Sequence, residues 1–280
     1  MNKITLTVIL LLALSSYLIS CQDYESYSSD TDTDISVGKF DGTVLKYLSA
    51  EDTELKVRFD SMMLLIENIP GLKDSLTKPE RDYTLIAIPD ECFHTVISNL
   101  NTFRGKTNRG KNVYLTDFLI EPFMVIETIP PVPPATPEDG ATYDTTYFDY
   151  RKDLENLICK YIFRGNYDTE AISEETISGL SLQSFKDYFM NMEYERQPAS
   201  GLVHGGRRQL TFSDMKGSQL QEKWIRSAAQ KVDVKANNGV VHVLSTGHEF
   251  GFDEFISNFQ NYGNEIDAEN KRKEAYQDEE

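Results

Sequence analysis

The chain is 280 residues long, carries a formal net charge of -17 and is 40% hydrophobic. An acid surplus of this size argues against binding nucleic acid, and against holding to anionic lipid by charge. Residues 40–267 contain enough Leu, Ile, Val, Phe and Tyr to bury one sizeable core, so a single domain is expected there.

Met1, Asn2 and Lys3 precede an apolar stretch over 4–14, and Leu18, Ile19 and Ser20 lead into Cys21. A basic start, a short apolar run and a small residue before the cut predict a signal peptide over 1–20. The stretch is too short and interrupted for a transmembrane span. Leu-Ile-Ser-Cys at this position resembles the bacterial lipoprotein signal, in which the cysteine thiol is acylated and becomes the first residue of the mature protein. The resemblance makes Cys21 the lipidation site and the membrane a partner through a multi-chain lipid anchor. Gln22 stands where an aspartate would mark inner-membrane retention, and the acidic start at Asp23 and Glu25 resembles surface-export signals. Outer-membrane anchoring with display at the cell surface is therefore the expected location.

Residues 21–39 are polar, acidic and almost free of aliphatic side chains, which predicts a disordered spacer behind the lipidated cysteine. Asp30, Asp32 and Asp34 alternate as in a calcium loop, but Ile35 occupies the place of the sharp-turn glycine, so a solvated linker is read instead. With Cys21 acylated, Cys92 and Cys159 remain. They could form one bridge, or stay as two buried free thiols, the commoner outcome in chains of this size.

Helical spacing from Arg58 onward predicts an amphipathic helix that ends near Pro70 and Gly71, with a short second helix over 72–76. The period then changes: 83–88 is an apolar run of strand length, Pro89 stops it, and 90–100 reads as a helix whose first turn carries Asp90 and Glu91. Residues 101–150 read as an insertion. Its basic, glycine-containing "FRGKTNRGKN" leads to an apolar stretch with one helix or strand near 117–126, then to a loop rich in proline and aromatics. After it, "RKDLENLICKYIFRG" predicts a helix running into a short strand that stops at Gly165. A small helix or turn and an extended segment follow, then strands over 190–196 and 208–213. The charged tail 268–280 is expected to be frayed or disordered.

Residues 231–236 alternate, with Val232, Val234 and Ala236 on one face and Lys231, Asp233 and Lys235 on the other. An Asn238-Gly239 two-residue turn of type I′ would close a hairpin. That register sets Ala236 opposite Val241, Val234 opposite Val243, and Lys235 opposite His242. No carboxylate or nucleophile is spaced to make His242 a catalytic base, and it reads as a packed histidine.

Three of these segments resemble the signatures of fasciclin domains. "YTLIAIPDECF" is similar to the first, through Tyr83, Thr84, Ile86, Ala87, Pro89 and Phe93, with Ile88 as an extra residue. "LICKYIFRG" is similar to the second, through Leu157, Ile158, Ile162, Phe163 and Gly165, with Tyr161 in place of the signature histidine. "NNGVVHVLS" resembles the closing strand. The resemblance spans about residues 41–250 and implies an α+β wedge of two small β-sheets with helices packed at one side. It also implies a role in adhesion or in protein and glycan interaction, with no catalytic centre.

Enzyme readings find little in the sequence. There is no His-Glu-x-x-His or Cys-x-x-Cys to build a metal site, and no cofactor is expected. His204-Gly205-Gly206 resembles an esterase oxyanion loop, but the nucleophile elbow that would accompany it is missing. Acidic pairs such as Asp90 with Glu91, or Asp187 with Glu193, suit the two carboxylates of a glycoside hydrolase, yet among 45 acidic residues such pairs arise by chance. The candidate ligand-binding residues are Tyr143, Tyr147, Phe148 and Tyr150, aromatic rings beside carboxylates that suit a sugar face or a protein surface. The bland alternative packs these rings back onto the domain. The expected function is a non-catalytic, surface-displayed binding module whose partner is a protein or a glycan. The alternatives are an accessory glycan-binding lipoprotein of a polysaccharide uptake system and, third, a hydrolase.

Overall fold

The computed structural model describes residues 38–78, 80–129, 142–173, 179–199, 201–202, 205–265 and 267. The expected signal peptide, Cys21, the expected linker up to residue 37, His204 and the tail 268–280 lie outside the described residues. Helices α1 (Val44–Leu48), α2 (Asp60–Asn68) and α3 (Leu72–Leu76) come first, then strand β1 (Tyr83–Ala87) and helix α4 (Asp90–Lys106). A 3-10 turn (Leu115–Phe118), β2 (Phe123–Ile129), β3 (Thr142–Phe148) and α5 (Tyr150–Ile158) follow. A second 3-10 turn (Cys159–Tyr161) leads to β4 (Ile162–Arg164) and α6 (Thr169–Ser173). Strands β5 (Leu180–Gln183), β6 (Phe189–Arg196), β7 (Arg208–Asp214), β8 (Ile225–Ala236) and β9 (Gly239–Leu244) precede α7 (Glu254–Phe259).

The α+β expectation holds, but the expected pair of small sheets is corrected to one seven-stranded sheet in the order β4-β1-β9-β8-β7-β6-β5. Strand β8 is the reason. Its first residues pair with β7, from Ile225 opposite Asp214 to Ala228 opposite Thr211, and its remainder pairs with β9. One long strand thereby belongs to both halves. Just past β5, the Phe185 N–H donates to the Ile162 carbonyl of β4 at 2.9 Å, so the two edges approach and the sheet is a nearly closed barrel. Strands β2 and β3 pair only with each other.

The predicted hairpin register is corrected as well. Ala236 pairs with Gly239, Lys235 with Val240 and Val234 with Val241, so Asn237 and Asn238 form the turn and His242 does not face Lys235. Neither asparagine adopts a positive φ, which excludes the type I′ turn. From Lys231 to Val234, β8 takes three steps while β9 takes two from Val243 to Val241. From Ala229 to Lys231 it takes two steps against one. Each mismatch is a bulge, which bends the strand and increases its twist. Asp233, in the first of them, has φ 56°. The bulges break strict alternation, so Lys231 and Asp233 are buried alongside Val232 and Val234.

The starts of α1, α2 and α5 are capped by side chains of the helices themselves and of neighbouring elements. Thr43 accepts from Lys46 N at the start of α1, and Asp149 from Lys152 N at the start of α5. Asp90 accepts the Ser61 and Asp60 amides at 2.7 and 3.2 Å, so this carboxylate caps α2 from another element. Helix α4 continues past the predicted end to Lys106, because Arg104 in its last turn is buried and finds acceptors there. The insertion therefore begins after α4 and ends before Tyr150, which opens α5.

Gly239 sits opposite Tyr83 in the parallel pairing of β1 with β9. A Cβ there would lie 1.8 Å from the Tyr83 carbonyl oxygen, and its φ is 144°. Both atoms in that clash are held by the sheet, so neither can yield cheaply. Gly239→Ala is expected to cost at least about 4 kcal/mol, the range of severe core lesions. Urea denaturation checks this, and an unchanged midpoint would mean that β1 and β9 can separate without loss.

Candidate functional site

The β2–β3 ribbon pairs Phe123 with Phe148, Met124 with Tyr147, Val125 with Thr146 and Ile126 with Thr145. Directly opposed residues share a face. One face carries Phe123, Val125 and Phe148; the Phe123 and Phe148 rings stack at 5.3 Å, and Val125 is buried. The other carries Met124 and Tyr147, which are 52% and 62% exposed. Two large apolar side chains thus stand side by side in solvent.

The inner face rests on an aromatic cluster. Phe148 is half-buried and stacks toward Tyr150, 6.2 Å away. Tyr150 is buried and packs on Phe118, Phe259 and Tyr262, while Phe118 and Phe259 lie 4.4 Å apart. The Tyr150 hydroxyl donates to the Glu265 carboxylate. Burial, then the bond to Glu265, pushes the Tyr150 phenol well above its ordinary pKa. Of the four expected binding rings, Tyr147 alone is shown exposed. Phe148 and Tyr150 form the foundation, as the bland alternative had it, and Tyr143 takes its place in β3 opposite Thr128, its side chain outside the described residues. Met124 was missed because a methionine inside "EPFMVIETI" reads as core. Only the cross-strand register, which sets it beside Tyr147, reveals its exposure.

His242 is fully buried in β9. Its Nδ1 accepts the Asp233 amide at 3.2 Å, so Nε2 carries the proton and donates to the Tyr167 carbonyl at 2.9 Å. Burial holds its pKa below the ordinary value despite Asp233 nearby. Both ring nitrogens are consumed by backbone, which makes this a packed histidine. Tyr161 is also fully buried: its hydroxyl lies 2.9 Å from His248 Nε2 and accepts the Gly251 amide at 2.9 Å. The ring that replaces the signature histidine of the resembled motif has thus acquired its own buried histidine partner.

Cys92 and Cys159 are buried free thiols, and burial pushes both up to about 12. The paired-carboxylate readings find no shared site: Asp90 is a helix cap, Asp187 lies in the β5–β6 turn at φ 62°, and Glu193 is buried on β6. Among the described residues no group of three or more His, Cys, Asp and Glu side chains is arranged to hold a metal ion, and no helix is long and apolar enough to cross a membrane.

No family model matches the chain, and no curated protein matches it. Among solved structures, a FAS1 domain pair from the insect cell adhesion molecule fasciclin I is similar, at 11% identity and a TM-score of 0.45. The match covers 77% of this chain and 52% of the domain pair, so the chain spans about half the length of that structure.

His248, held down to about 3 by burial, gives the domain a pH signature. Its folded pKa lies below the unfolded value of about 6.5, so the unfolded state binds more protons between those values and stability falls as the pH drops through that window. His242 acts in the same direction. Urea midpoints measured from pH 7 to pH 5 should decline, with His248 contributing a slope that approaches about 1.4 kcal/mol per pH unit. His248→Gln should flatten that slope while lowering stability at pH 7.

Proposed function

We propose that this protein is a lipid-anchored, non-catalytic binding module on the outer surface of the outer membrane, and that it engages a partner protein through the exposed face of its β2–β3 ribbon. The observation that carries the reading is the Met124–Tyr147 pair: two apolar side chains exposed together on a ribbon whose opposite face is packed onto the domain. Exposed apolar groups that sit together mark interaction surfaces more often than singly scattered ones, and Tyr and Met are enriched at protein interfaces. Support for adhesion-type work comes from the three fasciclin-like motifs, whose strands β4, β1 and β9 lie side by side in the sheet. The neutral, backbone-bonded His242 gives no support to a general base. A glycan-binding ribbon is the weaker reading, since a sugar platform needs several rings in a row and Phe148 and Tyr150 are turned into the foundation.

The anchor is tested by growing cells with a labelled fatty acid: the wild-type protein should incorporate it and Cys21→Ser should not. Label retained in Cys21→Ser would remove the proposed anchor. The ribbon is tested on a panel of matrix and cell-surface proteins beside a glycan panel, with product release followed in the same wells. Met124→Ser combined with Tyr147→Ser should leave stability within about 0.5 kcal/mol and weaken protein binding at least tenfold, about 1.4 kcal/mol. Full binding by that variant would place the interface elsewhere, and turnover of any substrate would end the non-catalytic reading.

A further inference from the structure

Asn238-Gly239 is the one place in the chain where glycine follows asparagine. The pair is chemically reactive for a steric reason. With no side chain on Gly239, its backbone nitrogen can reach the amide carbon of the Asn238 side chain and close a five-membered ring. The bond from Gly239 N to Asn238 Cγ forms and the Cγ–Nδ2 bond breaks. Nδ2 leaves as ammonia, taking the proton of the Gly239 amide. Water then opens the cyclic imide at one of its two carbonyls. Opening at Cγ gives aspartate. Opening at the main-chain carbonyl gives isoaspartate, whose backbone runs through the former side chain and is one carbon longer.

The fold holds still the atoms that this reaction must move. Asn238 is 1% exposed, and Gly239 is buried. Asn238 Oδ1 accepts the Val44 amide at 2.9 Å and Nδ2 donates to the Leu76 carbonyl at 3.0 Å, so the side-chain amide is tied at both ends. The peptide unit that carries the attacking nitrogen is tied as well. Its carbonyl accepts the Tyr83 amide at 3.0 Å, and Gly239 pairs with Ala236 on one side and Tyr83 on the other. Bringing the nitrogen onto Cγ turns that unit and breaks the bond from Tyr83. Cyclisation therefore waits until α1, α3 and β1 come away from the turn, an opening near the global end of the unfolding scale.

Neither product fits the closed junction. Aspartate has no amide hydrogen for the Leu76 carbonyl, and it brings a charge to a position shut off from water. Isoaspartate lengthens the main chain directly before Gly239, where even a Cβ would lie 1.8 Å from the Tyr83 carbonyl oxygen.

We propose that Asn238 is a deamidation site gated by the fold: silent while the junction is closed, reactive once it opens, and one-way because the product cannot close it again. An excursion that would otherwise be reversible becomes a permanent loss of the domain. The site depends neither on the ribbon face nor on the anchor.

The test is peptide mass spectrometry of the full chain after incubation in buffer and in urea, at one pH and temperature. Deamidation at Asn238 should run at least tenfold faster in urea. After dilution from urea, modified chains should be missing from the refolded, protease-resistant fraction. Val44→Pro removes the amide that Oδ1 accepts, at a first helical position that tolerates proline behind a Thr43 already at φ -77° and ψ 167°. Folded Val44→Pro should deamidate in buffer at least tenfold faster than the wild type. The first two readouts need only the wild-type chain, so they decide the proposal even where the variant does not fold. Equal rates in buffer and urea, modified chains in the refolded fraction, or an unchanged rate in folded Val44→Pro would each overturn it.

Discussion

At residue 239 two backbones approach each other too closely to admit a side chain. Strand β1 can lie between β4 and β9 only because residue 239 has no side chain, which lets the Tyr83 carbonyl occupy the space a Cβ would fill. Asn238, one residue before, completes the junction: its carbonyl accepts the Tyr83 amide, its Oδ1 accepts the Val44 amide, and its Nδ2 donates to the Leu76 carbonyl. One Asn-Gly pair thus holds β1, β9 and the helices α1 and α3 in register, at the only parallel pairing among the named strands. The packed histidine, the sheet closure and the helical cover all lie downstream of it.

Around this junction the domain buries several charges, and each links elements far apart in the chain. Lys160, in the turn before β4, meets Asp214 at the end of β7 and Glu254 of α7 at 2.7 and 2.8 Å. Lys231 of β8 meets Asp52 and Glu54 in the loop after α1 at 2.7 and 2.9 Å, and the Tyr47 hydroxyl donates to Asp52. Burial alone would raise the Asp52 pKa, but the bonds from Lys231 and Tyr47 outweigh it and hold the carboxylate below its ordinary value. Buried pairs of this kind contribute less to net stability than their short distances suggest, because desolvation offsets the attraction. Removing one partner leaves the other as an uncompensated buried charge, which is strongly destabilising.

Much of the element order was legible in the sequence. Apolar periodicity located α2, α3, β1, α5 and the strands of the second half within a few residues. What escaped it was non-local. The two bulges in β8 set Lys231 and Asp233 inside, against the alternation that assigned them one outer face, and no local pattern announces the Asp52 and Thr169 partners that receive them. Asn238-Gly239 was recognised as special but for the wrong reason: its glycine serves a contact with a strand about 155 residues earlier in the chain, a use that turn statistics do not contain. At the ribbon, composition flagged Tyr147, Phe148 and Tyr150 together, whereas period-two register divides them, exposing one and burying another. The basic stretch 103–112 was noted for its charge, but that one guanidinium nitrogen each of Arg104 and Arg109 ends buried without an acceptor needed three-dimensional packing.

The way the described chain enters the barrel has a mechanical meaning. Before α1, the Phe40 amide donates to the Lys235 carbonyl and the Lys235 amide to the Gly38 carbonyl, both near 3 Å, in a parallel bridge to the end of β8. Next to it the Asn237 amide donates to the Gly42 carbonyl at 2.7 Å. A pull along β8 from residue 38 loads these bonds together, in shear. A pull across the strand opens them one after another, like a zipper. Tension applied at residue 38 would therefore meet a stiff joint or a compliant one according to its direction.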